Sequence, residues 1–260
     1  WSFSHLLACN ITVHNASPQQ FFGYRPHTLP QNLDPAILTA ELPPELRRFS
    51  DPTHRLLTYI DVIRARFPFR QSAIHDATRE VLRTVGYESE EGIVLRSRYP
   101  LRLEDGDYRP GLIIPDLCLS RGDMSILLVV QQVGKYDTTC GYTEPQAIAA
   151  AIAAFQYNNT VRYQMNSLDQ LKSMTIPAII IVETCPFFYK IPVTAALSDA
   201  VAEGSQQRPL EETIVQRCAV TRDYNLFNQK MRSLEFRLEA FRYYEAFRNM
   251  AKHCWDKFIV

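Results

Sequence analysis

The sequence predicts an α/β protein in which helices flank a mixed sheet. From residue 71 onward, short apolar runs alternate with longer segments of helical periodicity. The runs 125–132 and 176–183 are apolar on both faces, which is typical of central buried strands. The segment 144–160 is rich in alanine, which favours a helix packed closely against that sheet.

We expect residues 1–50 to form an irregular arm that lies on the main body. Prolines interrupt this stretch, so only a short helical turn near 34–40 is predicted. Its aromatic and aliphatic side chains are available for packing, which distinguishes it from a disordered tail. An arm that binds a partner is the alternative.

Residues 51–260 are expected to form a single domain. Asp51 and Pro52 are an N-cap and a first-turn proline, and they predict a helix start. A second helix is predicted over 71–85. Three strands then follow at 93–103, 111–119 and 125–132.

The C-terminal third of the sequence continues the alternation. A long helix over 224–258 closes the chain, and its many aromatic residues suit either packing or a homodimer interface. The other predicted elements are strands at 176–183, 186–193 and 212–219, and a short helix at 195–203.

Composition limits the classes of function. The chain has 260 residues, and its 28 Lys and Arg balance 28 Asp and Glu, which argues against a dedicated non-specific nucleic-acid binder. The six cysteines have no zinc-type spacing, and thiols in this pattern are typical of a reducing compartment. Asn-X-Ser/Thr triplets occur at Asn10, Asn15 and Asn158, but no signal peptide or membrane span is predicted, so we expect an intracellular protein.

Two neighbouring predicted strands carry polar residues near their ends. Asp116 follows Pro115 in the strand 111–119. The next strand ends in Gln131 and Gln132, and Lys135 comes three residues later. This arrangement resembles the metal site of PD-(D/E)XK nucleases, in which a carboxylate and an amine lie at the ends of neighbouring strands.

The chain resembles the PD-(D/E)XK nucleases. The matching stretch reads PDLCL, then ILLVVQQVGK, then EPQAIAAAIAAFQYNN, and it is also similar to uncharacterised PD-(D/E)XK-like proteins of basidiomycete fungi. The resemblance implies a restriction-endonuclease-like core over 71–183, with the element order helix, three strands, helix, strand.

The resemblance also implies a set of site residues. Asp116 and Gln132 would hold Mg²⁺ or Mn²⁺, Glu80 would assist from the helix, and Lys135 would supply the catalytic cation. The implied substrate is DNA or RNA.

This chain departs from the family pattern at two positions. Gln132 stands where the family has its second carboxylate, so a metal would be held weakly. Gly134 stands at the lysine position, and Lys135 would reach the site only through a bulge at this glycine. Two hypotheses therefore remain open: a degenerate site in a binding or assembly module, and a working variant with the pattern D…Q-x-x-K.

Several other residues have two interpretations each. Glu80 either assists a metal or faces solvent, and Gln156 either positions a water or phosphate or serves packing. Arg96, Arg98 and Arg102 either face a phosphate backbone or form a solvated strand face. His75 is expected to be structural.

Overall fold

The computed structural model describes most of the chain. The described residues are 1–42, 50–63, 70–106, 111–122, 125–133, 141–204 and 209–255, and the side chains of 70 and 71 are outside this set. The predicted site residues Gly134 and Lys135 lie outside the described residues.

A seven-stranded mixed sheet forms the centre of the protein, and a separate two-stranded sheet lies beside it. The strands are β1 (Ile11–Asn15), β2 (Ile93–Ser97), β3 (Leu101–Leu103), β4 (Gly111–Ile113), β5 (Leu117–Arg121), β6 (Ser125–Gln132), β7 (Ser173–Val182), β8 (Cys185–Thr194) and β9 (Thr213–Ala219). The main sheet has the order β1-β9-β8-β7-β6-β5-β2, and β3 pairs with β4. The β6/β7 and β1/β9 pairs are parallel and the other pairs are antiparallel. This arrangement confirms the predicted α/β class with a mixed sheet flanked by helices.

The helices occupy both sides of the sheet. They are α1 (Phe3–Ala8), α2 (Pro18–Phe22), α3 (Ala36–Thr39), α4 (Asp51–Val62), α5 (Arg70–Val85), α6 (Glu144–Asn166), α7 (Ala195–Ala202), α8 (Tyr224–Gln229) and α9 (Leu234–Trp255), with a 3-10 turn at Lys230–Arg232. Within the described residues, no helix is long and apolar enough to cross a membrane.

Two adjacent residues of β8 define the two faces of the sheet. The Tyr189 hydroxyl donates a hydrogen bond to Glu144 of α6 over 2.8 Å. The next residue back, Phe188, packs against Tyr244 and Phe247 of α9. Because successive strand residues point to opposite faces, α6 covers one face and α9 covers the other. Helix α5 contacts α9 and therefore lies on the α9 side.

The N-terminal segment is more regular than predicted. Residues 1–42 contain three short helices, and β1 joins the main sheet as an edge strand parallel to β9. The expected helical turn near 34–40 is α3. The difference has a physical cause, because β9 offers unpaired backbone groups that a five-residue strand can satisfy despite the surrounding prolines.

The predicted strands 93–103 and 111–119 are each divided by a bend. The outer parts pair as β3 and β4, and the inner parts pair as β2 and β5 in the main sheet. The first bend contains Arg98, whose φ is +51°, and the second contains Pro115, which lacks a backbone donor. The Arg98 N–H donates to the carbonyl oxygen of Asp116 over 3.0 Å and ties the two bends together.

Two predicted helices differ from the observed ones. Helix α6 continues to Asn166, past Asn158 and Asn159, because the side chains of both asparagines bind other segments and do not cap the helix. The predicted helix over 224–258 is interrupted between α8 and α9, where Lys230 has φ +53° and ψ −147°. The aromatic residues of α9 pack inside the protein, which accounts for their density; those buried are Phe236, Phe241, Tyr243, Tyr244, Phe247 and Trp255.

Candidate functional site

Asp116 lies at the bend where the hairpin β3/β4 leaves the main sheet. Its Oδ2 atom accepts a hydrogen bond from the backbone N–H of Gln132 over 2.7 Å and another from Nε2 of Gln131 over 3.1 Å. One oxygen of this carboxylate is therefore held by two donors at the end of β6.

A β-bulge determines which glutamine faces Asp116. The β5/β6 register shifts between Leu119 and Ser120, and Leu117 then pairs with Val130. Position 116 consequently lies opposite Gln131. Without the bulge it would lie opposite Val130, which has no polar group to offer.

Gln132 does not direct its side chain toward Asp116. Gln132 pairs with Ile181 of β7, and Ile181 pairs with Pro186 of β8. The Gln132 side chain therefore lies on the same face as Phe188, the α9 side, whereas the Gln131 side chain lies on the α6 side. That side chain is 5% exposed, and its Nε2 atom has no hydrogen-bond partner among the described residues. The residue that the sequence assigned to the metal reaches Asp116 through its backbone alone.

The position two residues after Gln131 belongs to Val133. Its N–H donates to the carbonyl oxygen of Ile181 over 2.9 Å, so it extends the pairing of β6 with β7. A strand residue at this position shares the face of Gln131, and here it is buried and apolar.

Glu80 forms ion pairs with neighbours on α4 and α5. Its Oε1 lies 3.8 Å from Nε of Arg55 and 3.6 Å from Nη1 of Arg83, and its side chain is 13% exposed. His75, the α5 residue whose charge acts on Asp116, is five residues earlier and about 140° away around the helix. These ion pairs show that Glu80 contributes to the contact between α4 and α5.

A basic cluster, defined as His75, Arg79 and Arg98, surrounds the Asp116 bend. His75 and Arg79 are one turn apart on α5, and both hydrogen-bond Oγ of Ser97, at 3.2 and 3.4 Å. The sequence predicts a structural role for His75 and assigns no role to Arg79. The sequence signal for this pair is the i, i+4 spacing of two basic residues, which places them side by side on one face of a helix.

Burial is the main influence on the protonation of Asp116. It raises the pKa of this carboxyl above its ordinary value, whereas the Gln132 N–H and the charges of His75 and Arg98 act in the opposite direction. The net effect is a raised pKa, so the basic cluster and the donors only partly offset the loss of hydration.

The donor set around Asp116 does not suit Mg²⁺ or Mn²⁺. These ions take oxygen ligands, commonly one or two carboxylates together with waters, whereas Gln131 presents an amide N–H toward the carboxylate. Among the described residues, there is no group of three or more His, Cys, Asp and Glu side chains that could hold a metal ion.

Comparison with known proteins does not assign a family. No family model matches the chain, and no curated protein matches it either.

Proposed function

We propose that this chain is a PD-(D/E)XK nuclease-like protein with a degenerate catalytic site, which binds nucleic acid without hydrolysing it. The single observation that carries the proposal is the hydrogen bond from Gln131 to Asp116. A hydrolytic site of this kind needs a second carboxylate beside the first, and here the neighbour is a hydrogen-bond donor.

The order of elements supports descent from a nuclease. A restriction-endonuclease-like core would contain a helix, three strands, a helix and a strand, and α5, β2, β5, β6, α6 and β7 follow that order. The hairpin β3/β4 is inserted between the first two of these strands. The antiparallel pairs β2/β5 and β5/β6 and the parallel pair β6/β7 agree with such a core.

The chemistry around Asp116 disfavours metal-dependent hydrolysis. A divalent ion activates water and stabilises the charge that develops on the phosphoryl group. Asp116 would have to hold this ion beside a neutral amide. Because its pKa is raised, a larger fraction of this carboxyl is protonated, and so uncharged, at pH values near the pKa.

The basic cluster supports phosphate binding at the same bend. Arg79 and His75 converge on Ser97, and Arg98 follows Ser97 directly in sequence. Positive side chains with a hydroxyl group between them are the usual partners of a nucleic-acid phosphate. Since the whole chain has no net charge, this attraction would be local and would weaken steeply with salt.

The test measures binding of fluorescently labelled single- and double-stranded DNA and RNA by anisotropy in the presence of EDTA. The wild type should bind at low salt, and Arg79→Ala should weaken binding and reduce the salt slope by about one. Arg83→Ala is the matched control, because it removes the same charge one turn further along α5, where Arg83 pairs with Glu88 over 2.8 Å.

A cleavage assay separates this proposal from the alternative of an active phosphodiesterase that uses Asp116, Gln132 and Lys135. We expect no product with Mg²⁺ or Mn²⁺. Cleavage that disappears in Asp116→Ala would overturn the proposal and favour the hydrolase. Equal binding by the Arg79 and Arg83 variants would contradict the role given to the basic cluster.

A further inference from the structure

A cleft of about 370 Å³ lies on the α6 side of the sheet, between α6, α7 and the segments around Glu104 and Lys172. This volume is within the range of small-molecule sites, which is about 300–1,000 Å³. The residues that line the cleft include neither Asp116 and its two glutamine neighbours nor the basic cluster, so the cleft is separate from the site described above and the inference does not depend on the proposed function.

Two side-chain amides of α6 hold the walls of the cleft in place. Gln156 accepts a hydrogen bond from the N–H of Glu104 over 3.0 Å and donates one to its carbonyl oxygen over 3.2 Å. Asn159 exchanges the same pair of bonds with Leu171, over 2.7 and 3.3 Å. Because each wall is fixed by two bonds, the cleft is formed before a ligand arrives, which lowers the cost of binding.

The contacts also give the cleft a direction. At one end, the N–H of Ala195 donates to the carbonyl oxygen of Lys172 over 2.9 Å, so Lys172 lies beside the start of α7. At the other end, the chain after Glu104 meets the chain after α7. A Cβ atom at Gly106 would be 2.3 Å from the Cα atom of Gly204, so this end is closed by backbone contact.

The charges of the cleft follow that direction. Lys172 supplies a positive charge at the end beside Ala195, and Glu104 supplies a negative charge near the closed end. Asp199 supplies a second negative charge one turn along α7 from Ala195. The two ends are separated by about 10 Å, the rise of α7 over seven residues. Ala195 and Ala202 of α7 add apolar surface to the lining, and the buried Phe155 lies beneath it.

We infer that this cleft binds a small extended zwitterion, and that a free basic amino acid such as arginine is the class of ligand that fits. Its carboxylate would pair with Lys172, and its guanidinium would pair with Glu104 and Asp199. Its methylene groups would lie against Ala195 and Ala202 of α7.

The test is calorimetric titration of the protein with L-arginine, citrulline and agmatine. Citrulline has the shape of arginine without the positive charge, and agmatine lacks the carboxylate. We expect arginine to bind, and citrulline to bind about tenfold more weakly, the size of one lost charge-assisted hydrogen bond.

Protein variants test which residues of the cleft bind the guanidinium and which bind the carboxylate of arginine. Asp199→Asn should weaken arginine binding about tenfold. Lys172→Gln should weaken the binding of arginine but leave agmatine unaffected. Glu211→Gln is the control, because Glu211 is an exposed acid outside the cleft. The absence of any heat with arginine at millimolar concentration, or equal affinities for arginine and citrulline, would overturn the inference.

Discussion

Gln131 donates a hydrogen bond from Nε2 to Oδ2 of Asp116 over 3.1 Å. A second donor, the N–H of Gln132, reaches the same oxygen over 2.7 Å. In a metal-dependent nuclease the neighbour of this carboxylate would be a second oxygen ligand that donates an electron pair to the ion. The contact therefore changes the site from one that attracts cations into one in which the negative charge is already partly neutralised.

Replacing Asp116 with asparagine should change how stability depends on pH. The folded state raises the pKa of this carboxyl above its ordinary value of 3.8, so between the two values the folded protein binds more protons than the unfolded chain. Stability contributed by this group is therefore lost as pH rises through that window. Asp116→Asn keeps an acceptor for both donors but does not ionise.

Urea unfolding of both proteins between pH 4 and pH 7 measures this difference. The asparagine variant should gain stability relative to the wild type as pH rises, and the gain should level off above the raised pKa. A difference that stays constant with pH would show that burial of Asp116 does not govern its ionisation.

Arg237 anchors the N-terminal segment to α9. It is fully buried, and its guanidinium donates to the carbonyl oxygens of Met231, Ile37 and Ala40 over 2.9, 2.7 and 3.0 Å. Arg237→Ala would leave these acceptors without donors and should cost about 3 kcal/mol or more. Arg237→Lys should recover only part of the lost stability, because the lysine ammonium cannot reproduce the planar arrangement of hydrogen-bond donors in the guanidinium.

The free energy of unfolding from urea titration checks this prediction. Arg232→Ala is the control, since Arg232 is exposed and close in sequence, and it should change stability by less than about 0.5 kcal/mol. If both alanine variants were equally stable, the anchoring role of Arg237 would be refuted.

Asn158 joins α6 to the start of β6. Its side chain accepts from the N–H of Ile126 over 2.7 Å and donates to the carbonyl oxygen of the same residue over 2.9 Å. Asn158→Ala should cost about 2 kcal/mol or more, because both backbone groups are buried and lose their partner. With an exposure of 2%, Asn158 is also not accessible as a glycosylation acceptor in the folded protein.

Thermal unfolding of Asn158→Ala and Asn166→Ala provides the comparison. Asn166 is the last residue of the same helix and is exposed, so its replacement should leave the melting temperature nearly unchanged. Equal melting temperatures for the two variants would argue against a structural role for the Asn158 amide.

The sequence predicted most of the secondary structure because hydrophobic periodicity is local. Buried strands such as 176–183 and the helix 71–85 were recognised from their own residues, and β7 and α5 occupy those positions. Strand β1 was missed because its stability comes from pairing with β9, about 200 residues away in sequence.

The sequence predicts that Asp116 lies near the glutamines at the end of the next strand, but not which glutamine side chain contacts it. Asp116 was identified from its place after Pro115, and the glutamine pair was recognised as the strand end. Which glutamine faces the carboxylate depends on the bulge between Leu119 and Ser120. No local pattern reveals that shift. Gln131 and Gln132 are consecutive, so the sequence alone does not show which of the two side chains shares a face with Asp116.

A second carboxylate introduced opposite Asp116 should create a metal site. Gln131→Glu places a carboxylate directly opposite Asp116, and we expect it to raise the affinity for Mn²⁺ at least about tenfold. Gln132→Glu is the matched control with the same change one residue away. Its charge would be buried on the α9 side of the sheet, so it should lower stability without improving metal binding.

The most direct measurement is a Mn²⁺ titration of the wild type and these two variants, followed by the electron paramagnetic resonance signal of the free ion. We predict weak binding by the wild type, tighter binding by Gln131→Glu and no gain for Gln132→Glu. Tight Mn²⁺ binding by the wild type, or a gain found in Gln132→Glu alone, would contradict the assignment of Asp116 to a degenerate, donor-lined site.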